Sequence, residues 1–282
     1  MTRPWTATAF LSEIRARIDE TSTSNTNYSN ATIITFANRV QEKISTKDPV
    51  YLSKWSIDGD GTTVKFAYPD GIWGIEDVTK NDYPVEEVPF GLRYYAPTYP
   101  IIQRFAGFSW YREPDGIGFT SAPTSGETYI VRLRAALGNL RSTAYSTGTV
   151  SVTNGSAVVA GSGTTWSSNA TAYDCIVING YYYVIKTVDS NTQITLTEDV
   201  RESTVSGLSY EIGERINLPL EYRDALVLGT RAYLWEIAED ETMAATYWQR
   251  YDNAMRDAGQ RFKKKELTGG GFNRSRGRGL WP

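Results

Sequence analysis

Apolar residues recur at helical spacing at both ends of the chain and alternate in its middle. Ala7, Phe10, Leu11, Ile14 and Ile18 form one stripe, with Glu13, Arg15, Arg17 and Asp19 between them, which predicts a short helix. The polar run Thr21 to Asn27 ends it. A second helix follows, with Ser29 as N-cap, Tyr28 placed to staple onto Ile33, and Ile33, Phe36, Ala37, Val40 and Ile44 as its buried stripe. Asp48-Pro49 stops it. Near the other end, Asn217 and Pro219 read as the start of a third helix, with stripes through Tyr222, Leu226, Gly229, Tyr233 and Ile237 and through Ala225, Leu228, Ala232 and Trp235. Asp240 is placed to cap a fourth, carrying Met243, Tyr247, Tyr251, Met255, Ala258 and Phe262. The interval Glu239-Asp240-Glu241 leaves room only for a tight helical hairpin.

Between the helix pairs the period drops to two. Val64, Phe66 and Tyr68 alternate, as do Tyr129, Val131, Leu133 and Ala135 around Arg132 and Arg134. Pro84 to Pro100 holds four prolines, a composition that wraps a surface rather than joining a central sheet. Residues 146–213 form a block rich in Thr, Ser, Val, Gly and Tyr. Two hairpins with type I′ turns are expected there, at Asn154-Gly155 and Asn179-Gly180, and five or six short strands predict a small barrel or sandwich.

The expected fold class is therefore α+β. Helices this short need partners in water. The simplest arrangement packs residues 1–48 and 214–265 as one discontinuous helical bundle, with antiparallel β regions at 49–145 and 146–213 inserted into it. Residues 266–282 remain as a basic C-terminal arm.

Charge sharpens this picture. Seven of the 29 Lys and Arg lie from Arg261 onward, against one of the 32 Asp and Glu, so the end carries about +6 and the preceding 260 residues about −9. Gly269 to Gly271 deny the arm a fold of its own, and Phe272, Leu280 and Trp281 give it apolar anchors. The 19 Tyr and 8 Trp are the residues favoured where one side is packed and the other wet, as at interfaces or within strands. The start of the chain lacks a signal-peptide core and no stretch is apolar enough to span a membrane, so a soluble protein made in a cytoplasm is expected.

Chemistry is sparse. The chain has no histidine, which excludes His-dependent catalysis and His-containing metal sites. It has no phosphate-binding Gly-x-x-x-x-Gly-Lys-Ser/Thr loop. Asp58, Asp60 and Gly61 resemble a calcium loop only faintly, because the twelfth position is Pro69, and a turn is the better reading. Cys175 sits in a strand-like run and reads as core rather than nucleophile. Glu86-Glu87 and Glu239-Asp240-Glu241 read as solvated or capping acids rather than a hydrolytic pair. No enzyme activity, cofactor or metal is expected. Binding or assembly remains.

Three stretches carry a family resemblance. Tyr28 to Glu42, with its capped start and Asn38-Arg39, looks like the second helix of the head-to-tail adaptor (connector) proteins of tailed bacteriophages. Leu218 to Val227 looks like the start of their long C-terminal helix. Gly148 to Ser156, followed by Gly161 to Trp166, is similar to a small β module of phage virion proteins. The resemblance implies a structural protein of the virion neck. It implies a homo-oligomeric ring, usually dodecameric, below the portal protein, which extends the DNA conduit and docks a tail tube or nozzle protein. Genome DNA would pass through without specific binding. It further implies that the C-terminal segment grips the portal. On this chain that assigns portal contacts to Phe272, Arg274, Arg276, Arg278, Leu280 and Trp281, with Lys263, Lys264 and Lys265 as secondary basic contacts. Two rival readings stand beside it: a carbohydrate- or receptor-binding β module of a phage tail, with Tyr181-Tyr182-Tyr183 and Trp166 as a stacking surface, and a DNA-binding arm.

Overall fold

The computed structural model describes residues 5–18, 28–48, 50–69, 72–89, 108–201 and 203–269. They fall into two compact units, Met1–Asn217 and Leu218–Pro282. In the larger unit, α1 (Ala7–Arg17) starts at Thr6, whose hydroxyl accepts the Ala9 N–H, and buries Ala7, Phe10, Leu11 and Ile14. Helix α2 (Asn30–Lys47) starts as expected at Ser29, whose hydroxyl accepts the Thr32 N–H at 3.0 Å. Its buried set, from Ile33 to Ser45, is wider than a single stripe because Ile34, Gln41 and Ser45 join it. The Arg15 guanidinium donates to Asn30 Oδ1 at 2.6 and 3.0 Å and to the Tyr28 carbonyl at 2.9 Å, fastening the end of α1 to the start of α2.

Two four-stranded sheets follow. The first contains β1 (Leu52–Asp58), β3 (Ile72–Lys80), β4 (Tyr83–Pro84) and β8 (Thr128–Ala135) in the order β1-β8-β3-β4. The second contains β2 (Lys65–Ala67), β5 (Glu86–Glu87), β6 (Ser109–Arg112) and β7 (Gly116–Phe119) in the order β2-β7-β6-β5. They share one core. Ile57, Ile75, Val78, Tyr129, Val131 and Leu133 come from the first sheet, and Trp110, Ile117 and Phe119 from the second. The alternation read at Tyr129 to Ala135 is the buried face of β8, while Arg132 and Arg134 pair on its outer face with Asp77 and Glu76. A type I′ hairpin joins β3 to β4, with Asn81 and Asp82 at φ 50° and 64°. Pro84 lies on an edge strand, as a residue without an N–H must. The remainder of the proline-rich stretch, from Phe90, lies outside the described residues.

Residues 149–212 form a third sheet of seven strands: β9 (Thr149–Val152), β10 (Val158–Ser162), β11 (Cys175–Ile178), β12 (Tyr181–Ser190), β13 (Gln193–Leu196), β14 (Val205–Leu208) and β15 (Tyr210–Ile212). Their order is β14-β9-β10-β13-β12-β11-β15. The two edge strands are consecutive in the chain, with only Ser209 between them, so the sheet curls into a nearly closed barrel. The one-turn helix α3 (Trp166–Asn169) brings fully buried Trp166 into its core beside Tyr183, Ile185 and Tyr210. The Asn179-Gly180 turn is type I′, with φ 47° and 87°. The Asn154-Gly155 turn is not. Ser156 N–H donates to the Thr153 carbonyl at 3.1 Å and only Gly155 is left-handed, at φ 75°, as in a type II turn. The Gly155 N–H donates to Val200, which ties this turn to the barrel, and the partner strand resumes only at Val158.

The ends of the larger unit meet. Thr6 bridges Arg215, and Ala7 N–H and Thr8 N–H donate to the carbonyl and carboxylate of Glu214 at 2.7 and 3.2 Å. A negative side chain thus occupies the N-terminus of α1, where the helix dipole favours it.

The smaller unit is a helical hairpin of α4 (Arg223–Ile237) and α5 (Glu241–Gly269). Asp240 caps α5 as expected, its carboxylate accepting the Met243 N–H at 2.9 Å. Glu239 takes the left-handed conformation, φ 58°, that reverses the chain. The expected cap at Asn217 does not form. Leu220–Tyr222 make a 3-10 turn, with Tyr222 N–H donating to Pro219, and α4 begins only after it. Ile237, placed in an apolar stripe, is half exposed because the helix ends there. The two helix pairs of the sequence thus fall in different units.

Gly138 follows β8 and abuts the barrel. A Cβ added there would fall 2.7 Å from the Cys175 Cα and N atoms. We expect Gly138→Ala to destabilise the protein by about 1–3 kcal/mol, the usual cost of overpacking. A urea titration monitored by tryptophan fluorescence checks this.

Candidate functional site

Where the chain passes from sandwich to barrel, residues 137–145 bond both to α2 and to the barrel. Gly138 N–H donates to Tyr182 Oη at 2.7 Å. Asn139 pairs in parallel with Asp174, and Arg141 Nη1 donates to the Asp174 carboxylate at 2.8 Å. Asn38 on α2 clamps Leu140 from both sides, its amide donating to the Leu140 carbonyl at 3.0 Å and its oxygen accepting the Leu140 N–H at 2.8 Å. Beside this strip lies an open cleft of about 470 Å³ between α2, the end of β8 and the barrel. Ile72, Ala135, Leu137 and Val184 contribute apolar walls, and Thr35, Arg39, Glu42 and Asn139 contribute polar ones. Tyr173, also lining it, is held at φ 68°, a strained conformation for a ring-bearing residue. A volume of this size accommodates a few side chains of a ligand or peptide.

On another side of the same junction, Glu198 is buried between barrel and sandwich. Its carboxylate accepts from Tyr51 Oη at 2.7 Å, Lys54 N–H at 3.0 Å and Arg201 Nη2 at 2.5 Å. Burial, reinforced by this carboxylate, holds the Tyr51 hydroxyl well above the ordinary tyrosine range. Burial does the same to Tyr182, whose oxygen accepts the Gly138 N–H. These groups fasten one β region to the other. They form no reactive constellation, since each polar atom is spent on a neighbour.

The residues singled out in the sequence fare differently. Phe272, Arg274, Arg276, Arg278, Leu280 and Trp281 lie outside the described residues, and Lys263, Lys264 and Lys265 are described only as backbone of α5. Cys175 is fully buried, and burial pushes its thiol up to about 12, consistent with core packing. Asp60 accepts from the Thr62 and Thr63 N–H groups and the Thr63 hydroxyl, which hold its carboxyl well below the usual range and make a turn of the supposed calcium loop. Glu87 pairs with Arg112, and Asp240 is a helix cap. Among the described residues no cluster of three metal-ligating side chains occurs. No described helix is long and apolar enough to cross a membrane. The proposed tyrosine–tryptophan stacking surface is not brought together: Trp166 and Tyr183 are core, Tyr182 is spent on Gly138, and only Tyr181 is exposed. Asn139, Tyr173 and Glu198 went unremarked in the sequence, where nothing distinguishes them from surface polar residues.

Two outcomes are expected from this geometry. Glu198→Ala strands the Tyr51 hydroxyl and Arg201, and should cost about 2–3 kcal/mol, below the range for a fully buried pair because the Arg201 side chain is 36% exposed. Denaturant melts of the variant measure it. Tyr51 and Tyr182, with folded pKa values raised above the unfolded value of about 10, contribute stability that is intact below pH 10 and lost as pH rises beyond it. In an ultraviolet titration both should ionise only as the protein unfolds.

No protein-family model matches the chain, and no curated protein sequence matches it.

Proposed function

We propose that this chain is a non-enzymatic assembly protein of a phage virion, a head-to-tail adaptor whose copies form a ring below the portal. The observation that carries this reading is the way α5 leads to the basic arm. Tyr222, at the foot of α4, packs edge-on against Phe262 at a ring separation of 5.8 Å. Helix α5 nevertheless continues to Gly269, so its last seven residues outrun its hairpin partner. At 1.5 Å per residue, the 29-residue helix is about 43 Å long. A rigid rod of that length ending in three glycines and a cationic, aromatic-tipped segment suits the capture of another protein.

On this reading the β regions project towards neighbours or the tail. Arg274, Arg276, Arg278 and Trp281, with Phe272 and Leu280, grip the portal, and Lys263 to Lys265 add weaker contacts. The excess of about nine negative charges before Arg261 repels DNA phosphates, which lets a genome slide past without sticking. The alternative of a carbohydrate-binding β module draws no support from the barrel, because its tryptophan is enclosed.

Truncation after Leu267 tests the proposal. The truncated protein should keep its circular dichroism and melting behaviour yet no longer be retained by immobilised portal rings. Retention equal to that of the full chain would remove the arm from the mechanism. Retention by duplex DNA instead, falling steeply with salt and lost on truncation, would replace the portal with nucleic acid.

A further inference from the structure

We infer that the cleft beside α2 is the seat of the C-terminal end, Leu280-Trp281-Pro282, of a second copy of this chain. The proposal builds on the reading of the protein as a ring former, which requires a contact between unlike surfaces of neighbouring copies.

Three features select this occupant. The walls from Ile72, Ala135, Leu137 and Val184 offer apolar surface to aliphatic and indole side chains, and the opening of about 470 Å³ admits more than one of them. Along the lining, which also carries Arg39, the Glu42 carboxylate and the Asn139 side-chain amide make no hydrogen bond among the described residues. An acid and an amide left uncommitted beside an apolar floor match a segment in which Arg278 precedes Leu280 and Trp281. The charge balance acts in the same direction at longer range, an end of about +6 approaching a body of about −9.

Reach is sufficient. The 13 residues from Gly270 to Pro282 span at most about 45 Å when extended, comparable to the length of α5 itself. A contact from the end of one copy to the cleft of the next is heterologous, so it propagates and closes into a ring where the rotation permits. It also covers an apolar, cationic tip that would otherwise adhere without selectivity. The same segment then serves two seats in turn, the neighbour's cleft first and the larger partner afterwards.

Sedimentation velocity of the full chain, without any portal present, tests this. The wild-type protein should self-associate reversibly, more weakly at high salt, and truncation after Leu267 should leave a monomer. Glu42→Lys reverses the charge in the cleft lining on an exposed helical position and should weaken association about tenfold. Trp281→Ala should do the same. Tyr173→Gly supplies a readout that a folding defect cannot mimic: it relieves a left-handed residue, so thermal stability should hold or rise while association falls. A labelled peptide of residues 270–282 should bind the truncated chain and lose affinity for its Glu42→Lys form. A full chain that stays monomeric at about 100 μM would overturn the proposal, including when the peptide binds, since the arm would then serve its own copy. Association unchanged by Glu42→Lys and Tyr173→Gly would overturn it as well. Portal retention is measured separately on the same proteins, so a failure here leaves that reading standing or falling by its own assay.

Discussion

A chain leaving a sheet must still satisfy its backbone N–H and C=O groups, and in the larger unit that constraint falls on residues 138–145. They have no ladder of their own. Their hydrogen bonds go to five different places: Tyr182 Oη, the Tyr173–Cys175 backbone, the Asn38 side chain, the Gly213 carbonyl and the Ile212 backbone. The bonds to Tyr182 and Asn38 are half-buried and would be costly to leave unmade. Satisfying them draws α2, the sandwich and the barrel around one strip. The cleft lies where α2, the end of β8 and the barrel border one another.

The barrel shows a second economy. Seven short strands would expose two edges, and exposed edges invite pairing with other chains. Here the last two strands are one segment divided at Ser209, and they cap opposite edges. The interior is held by an indole–phenol pair, with Trp166 Nε1 donating to Tyr210 Oη at 3.1 Å and Tyr210 donating to the Thr147 carbonyl at 2.6 Å. A buried Trp and Tyr with both polar atoms paired is a stable core element. It also explains why Trp166 and Tyr210 add nothing to the aromatic surface of the module, which Tyr173 and Tyr181 supply instead.

On the proposed reading, function in this protein is a matter of surfaces and reach. The charged and hydroxyl groups buried at the junction of the β regions lock one element to another. Among the described residues, the Glu42 and Asn139 side chains line the cleft without a hydrogen bond, and the charge contrast lies between residues 1–260 and the segment from Arg261 onward. The proposed assembly role rests on these two features together, since each supplies what the other lacks.

The sequence alone determined the elements whose signal is local. Helix starts at Ser29 and Asp240, the alternation of β8 and the Asn179-Gly180 turn depend on neighbours a few residues away, and each formed where its residues required. The enclosure of Cys175 was legible for the same reason, from the apolar run around it. Two local readings failed where a distant partner intervened: Gly155 bonds Val200 and so abandons the type I′ turn, and the Leu220–Tyr222 turn displaces the start of α4 from Asn217. Only the tertiary structure decided that Trp166 is core, that Glu198 joins two sheets and that Glu42 and Asn139 face one cleft. Those outcomes rest on contacts between residues roughly 20 to 150 positions apart, and no short-range pattern of hydrophobicity or charge encodes such a pairing.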